Sequence, residues 1–133
     1  MNLLSLPAIA AAASGVSGML KLNAAPRNLA AQANFAYGSG GTSVDAWLQT
    51  SFDQGATWTD IANWHFTTAA ARKVNNLSAS SSNAVTAADG ALAANTSADG
   101  LLGPWFRVKW VTVGTYAGAT SLSVDVACDQ LGG

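Results

Sequence analysis

Apolar residues recur at every second position in run after run of this chain, and a two-residue period is what a strand with one buried face requires. From Asn28 to Tyr37, Leu29, Ala31, Ala33, Phe35 and Tyr37 share one parity, with Asn28, Gln32 and Asn34 on the other; Gly38-Ser39-Gly40-Gly41 then stops the run. Ser43–Phe52 sets Val44, Ala46, Leu48 and Phe52 against Asp45, Gln49 and Ser51. Thr57–Phe66 groups Trp58, Ala62, Trp64 and Phe66 away from Thr57, Thr59, Asn63 and His65. Trp105–Val113 and Ala119–Cys128 are joined by Gly114-Thr115-Tyr116-Ala117-Gly118, and in the second of them Leu122, Val124, Val126 and Cys128 oppose Ser121, Ser123 and Asp125. With 133 residues the chain is sized for one domain. All seven acidic residues are Asp, so a strong helix former is missing altogether. The expected fold is all-β: an antiparallel β-sandwich or jelly-roll-like single domain over residues 26–133, preceded by residues 1–25 as an N-terminal arm or first strand. Helix is expected, if anywhere, only near Pro7–Ser14 or Ala87–Ala94.

Two segments fall outside the alternation. Met1–Ala13 is apolar, but its first basic residue is Lys21 and Pro7 interrupts it, so an arm or first strand fits better than a secretion signal. Leu3, Leu4, Leu6 and Ile9 would form an exposed apolar strip if they did not meet another surface, and are expected to contact a second chain. Ser78–Gly100 has no aromatic residue and only Asp89 and Asp99 as charges. Bare loops of that length are uncommon in a compact domain. The segment is expected to be an arm packed on a neighbour, to hide weak strands around Ala84–Thr86 and Ala91–Asn95, or both.

One motif carries local geometry. Ser51, Asp53, Gly55, Thr57 and Trp58 fit S-x-D-x-G-x-T-W, which resembles the Asp-box hairpin turn of sialidase-type propellers. Asp53 can accept from the turn's own N–H groups, Gly55 can take positive φ, and Trp58 can cover the turn. The motif occurs once, with no 40–50-residue repeat, so the propeller itself is not implied. It is a structural turn between strands 43–52 and 57–66.

Composition narrows the function classes. Only 10% of residues are charged and the net charge is −1, which does not suit a protein that neutralises many phosphates or a basic membrane surface. Arg107 and Lys109 alternate with Phe106, Val108 and Trp110, but two cations are expected to make a polar strand face at a subunit boundary rather than a nucleic-acid stripe. No window is long and apolar enough for a membrane-spanning helix. A single His65 and a single Cys128 leave little for a metal centre or a catalytic dyad. His65 is expected to be structural, and Cys128 a small buried hydrophobe in a reducing cytoplasm. Asp45, Asp60 and Asp125 are expected at turns or on the surface rather than as a glycosidase pair. Trp47 lies on the polar parity of its strand, and is expected in the core or at a subunit interface or, in the alternative, on a sugar-binding platform. No catalytic, cofactor-binding or metal-binding residue is expected.

Asp45–Asp60 (DAWLQTSFDQGATWTD), His65–Lys73 (HFTTAAARK) and Gly103–Val126 (GPWFRVKWVTVGTYAGATSLSVDV) resemble a kind of small virion protein of tailed bacteriophages and prophages. The resemblance implies a non-enzymatic structural component present in many copies in the virion, assembled in the bacterial cytoplasm. A capsid decoration or cement protein on the head is favoured. A tail or neck component, or a carbohydrate-binding β-sandwich module, is the alternative. The implied partners are other copies of the chain and other virion proteins, the major capsid protein first among them, with no nucleic acid and no membrane. Charge depletion, a property of interface cores, agrees with that reading.

Overall fold

The alternating runs become strands that pair antiparallel into two sheets packed together as one β-sandwich, with no helix among the described residues. The computed structural model describes residues 1–79, 84–98 and 100–129. In chain order the strands are β1 (Asn2–Leu6), β2 (Ala13–Val16), β3 (Leu20–Lys21), β4 (Asn28–Ala36), β5 (Ser39–Gly40), β6 (Ser43–Ser51), β7 (Thr59–Phe66), β8 (Ala71–Ser78), β9 (Trp105–Val113), β10 (Tyr116–Ala117) and β11 (Ser121–Cys128). One sheet has the order β1-β11-β4-β8. The other has the order β2-β9-β6-β7, with β3 also pairing on β9. β5 and β10 form a separate two-stranded ribbon.

The inward parities meet as the alternation requires. Leu29, Ala31, Ala33 and Phe35 of β4 and Leu122, Val124 and Val126 of β11 face Val44, Ala46 and Leu48 of β6 and Phe106 and Val108 of β9 in one buried cluster. Phe35 stacks on Phe66 at 4.9 Å between ring centroids and meets Tyr116 edge-on, which ties the two sheets together at one end. Cys128 is half-buried and packs against the same cluster.

The N-terminal residues correct the expectation of an arm laid on another chain. β1 pairs with β11, while β2 and β3 pair with β9, so the segment contributes edge strands to both sheets. Leu3, Leu4 and Ile9 are buried in the chain's own core, and Leu6 packs against it. The edges of β9 and β11 supply the backbone partners that an isolated arm lacks, and the sandwich interior takes up the apolar side chains that would otherwise form an exposed strip. Neither Pro7–Ser14 nor Ala87–Ala94 is helical. Phe52 is a second correction: it is 59% exposed, because β6 ends at Ser51 and the Asp-box turn carries the next residue away from the core.

β7 carries a bulge. Leu48 opposes Ala62 and Gln49 opposes Asp60, which leaves Ile61 as the extra residue. Asp60 and Asn63, three apart in sequence, therefore both register with residues of the outward parity of β6.

Candidate functional site

The outer side of the β6–β7 sheet is not open to solvent. Residues 84–98 fold back along β7 as a strap, with β7 donating from Asp60 N to Ala88 O (2.7 Å) and from Asn63 N to Thr96 O (2.9 Å), and Ala98 N donating to Ile61 O (2.9 Å). The one bridge in this strap pairs Ser97 with Ala62, and neither Ala84–Thr86 nor Ala91–Asn95 is a strand. The expected packing on a neighbour is thus met by the chain's own sheet edge. Ser80–Asn83 and Asp99, also within the expected segment, lie outside the described residues.

Asp60 is the anchor. Its carboxylate is 1% exposed and accepts from Gln49 Nε2 (2.8 Å), Gly90 N (2.9 Å), Ala91 N (2.8 Å) and Leu92 N (3.0 Å). Successive backbone N–H groups of this kind make an anion-binding nest, and here the occupant is the protein's own aspartate. Gly90 sits at φ +77°, in the region that favours glycine, and opens that turn. Gln49 is wholly buried; its amide also donates to Asp89 (2.7 Å) and its oxygen accepts from Arg107 Nε (2.7 Å). Lys109 Nζ lies 3.1 Å from Asp89 Oδ1, and Arg107 Nη2 lies 3.8 Å from the same oxygen. Burial pushes the Asp89 carboxyl up, but the bonds from Gln49 and Lys109 and the charges of Lys109 and Arg107 outweigh it and hold it below the usual range.

The strap also relocates the sequence candidates. Trp47 is 8% exposed and donates from Nε1 to Leu92 O (3.0 Å), so it is covered by the strap and offers neither a sugar platform nor a free interface. The Arg107 guanidinium lies 4.5 Å from the centre of the Trp58 ring. Arg107 and Lys109, expected at a subunit boundary, are engaged within the chain. Asp45 and Asp60 share the five-stranded sheet, whereas Asp125 belongs to the other sheet, so the three do not converge. His65 Nδ1 lies 2.9 Å from Asp45 Oδ1, while its backbone N–H donates to Asn95 Oδ1 (3.0 Å).

The Asp-box turn is built as its residue types dictate. Asp53 accepts from Thr57 Oγ1 (2.6 Å), Thr57 N (2.9 Å) and Ser51 Oγ (2.8 Å). Ser51 Oγ accepts from Gly55 N (2.8 Å), and Trp58 Nε1 donates to Gly55 O (3.1 Å). Gly55 is at φ +87°, and a Cβ there would press on the Trp105 ring at 3.2 Å.

Beside the strap, a cleft of about 460 Å³ opens between β7 and β8, lined by Asn63, Trp64, Lys73, Val74, Asn75 and Asn95. Lys73 Nζ donates to His65 O and to Asn95 Oδ1 (2.8 Å) and sits 4.9 Å from the Phe66 ring centre. Burial lowers its pKa, partly opposed by the Asp45 charge. Trp64 Nε1 donates to Asn75 Oδ1 at 2.6 Å. These bonds latch one sheet to the other. Among the described residues no three His, Cys, Asp or Glu side chains come together as a metal site. The hub at Asp60 and the latch at Lys73 were not foreseeable as sites; the only signal was the Asp89-Gly90 turn inside a segment too long for a loop.

No family model, no curated protein and no solved structure matches the chain.

Proposed function

We propose that the chain is a non-enzymatic structural protein of a tailed-phage virion, most concretely a decoration or cement protein on the head surface. The observation that carries this reading is how the polar groups are spent. Asp45, Asp53, Asp60, Asp89, Lys109 and Arg107 are all bonded within the chain, holding the strap, the turn and the sheet edge. A group that must stay fixed to hold the fold is poorly placed to exchange protons with a substrate. The strand order adds support. Counting the eight longer strands in sequence, the sheets run 1-8-3-6 and 2-7-4-5, the interleaving of a jelly roll. That architecture recurs in viral capsid proteins and in lectins. Of those two, the lectin-like alternative loses its sequence candidate with the covering of Trp47. Cryo-EM of purified particles, with the copy number measured against the major capsid protein, tests the proposal. Density on the capsid exterior in regular stoichiometry is expected. Density in the tail or neck moves the assignment there, and absence from particles overturns it.

A further inference from the structure

The two outer sheet faces differ: one carries the strap, and no described residue covers the face of β1-β11-β4-β8. We infer that this second face pairs with the same face of another copy, about a two-fold axis running along β4. The inference does not rest on the virion reading. Register places Asp125, Gln32 and Val74 in one row across β11, β4 and β8, and Ser123, Asn34 and Arg72 in the next. Among the described residues, the charged groups of these rows are Arg72 and Asp125, of opposite sign and on opposite sides of β4. The N-terminal ammonium at Met1 lies at the rim, donating to Val126 O at 3.0 Å. Arg72 is exposed and makes no hydrogen bond or ion pair with any described residue.

An axis along β4 lays β8 of one copy over β11 of the other. Arg72 then sits over Ser123, one strand repeat of ~7 Å from Asp125, within reach of an arginine side chain, and symmetry makes the contact twice. An axis across the strands instead sets β8 on β8 and β11 on β11, which leaves Arg72 two strands away from the Asp125 of the other copy. Val74, the most exposed large apolar side chain at 68%, descends beside Asp125. Between Val74 and Asp125 of each copy lies a shallow depression of about 340 Å³, walled by those two residues, Gln32 and Met1, with the small side chains of Ala30 and Ala127 leaving the room. Aligned sheet packing of this kind is the ordinary geometry of sandwiches. Three strands of about eight residues, β11, β4 and β8, overlap about this axis over roughly 14 by 27 Å. A pair would therefore bury on the order of 800 Å², below the range of stable interfaces, which fits a weak, reversible dimer rather than an obligate one.

Sedimentation equilibrium under reducing conditions tests this. The wild-type chain is expected to dimerise in the micromolar range. Arg72→Asp alone and Asp125→Arg alone should each weaken the dimer by about tenfold or more, because each places like charges together twice. An equimolar mixture of the two variants should associate again, as should the R72D/D125R double variant, since both restore every opposite-charge pair. A wild-type chain that stays monomeric up to about 0.5 mM overturns the inference. So does a dimer indifferent to the single reversals, or a mixture that fails to associate. Should a reversal fail to fold, Asn34→Cys in a Cys128→Ser background gives an independent reading. Position 34 lies on the axis, so a short bismaleimide should join two copies, and no cross-linked dimer at micromolar concentration again overturns the inference.

Discussion

Asp53 is held at a pKa of about 2, below its ordinary 3.8, first by the Thr57 hydroxyl, then by the Thr57 N–H and the Ser51 hydroxyl. A carboxyl whose folded pKa lies below its unfolded one stabilises the fold above the unfolded value, and that contribution drains away as pH falls through the folded value. Thermal melts between pH 5 and 2 should therefore show Asp53→Ala melting roughly 2–8 °C below wild type at pH 5, the size of a lost cap in a domain of this length. The gap should narrow towards pH 2; a constant gap would mean that the charge is not what holds the turn. A second residue acts in the other direction. Thr112 is 3% exposed, and its hydroxyl is buried with no hydrogen-bond partner among the described residues. Thr112→Val keeps the shape and removes the unpaired group, so it should raise the unfolding free energy by about 1 kcal/mol in urea titrations. The Asp-box was legible because every bond it makes closes within eight residues. Thr112 was not, because its neighbours come from other strands.

The strap depends on one carboxylate meeting three consecutive N–H groups. Asp60→Ala would leave Gly90, Ala91, Leu92 and Gln49 without their acceptor, at a cost of roughly 3–5 kcal/mol, while Asp60→Asn keeps one acceptor oxygen and should cost less. Hydrogen exchange should show the difference locally: amides of residues 88–98 lose protection in the alanine variant, while β4 and β11 keep theirs as long as the domain stays folded. Equal protection across the strap in both variants would remove Asp60 as its anchor. Strand by strand, the sequence showed β4, β6, β7, β9 and β11 because their inward positions are apolar. β8 escaped it. Its inward positions are Ala71, Lys73, Asn75 and Leu77, and its most exposed apolar residue is Val74. Lys73 and Asn75 face inward because the first caps His65 O and the second accepts from Trp64. A hydropathy alternation cannot register a strand whose buried groups are polar. β2 and β3 escaped for a different reason: they are four and two residues long, and Ala13 and Gly15 of β2 give the period nothing to mark, while β1 was legible only as one of two readings, an arm or a first strand.

At the scale of the molecule, removing residues 2–20 should not leave a soluble core. The deletion would strip Leu3, Leu4, Ile9 and Leu20 from the interior and bare the edges of β9 and β11. At ~1.5–3 kcal/mol for each buried side chain, the loss is comparable to the whole stability of a domain. Expression of the truncated chain should give insoluble material, and a folded soluble product by far-UV circular dichroism would show that β1–β3 are dispensable. The pairing of β1 with β11 also bears on how the molecule comes into being. Asn2 lies opposite Asp125, so β1 has no partner until β11, 123 residues downstream, has been synthesised. At ~5–20 residues per second, ribosomes need on the order of ten seconds to deliver that partner, and such long-range pairing is intrinsically slow. Throughout that interval Leu3 and Leu4 have no sheet to cover them, and nascent chains on neighbouring ribosomes each carry the same uncovered pair. The step at which this protein is most exposed to aggregation is thus its own translation, and chaperone occupancy of nascent β1 should persist until β11 has emerged.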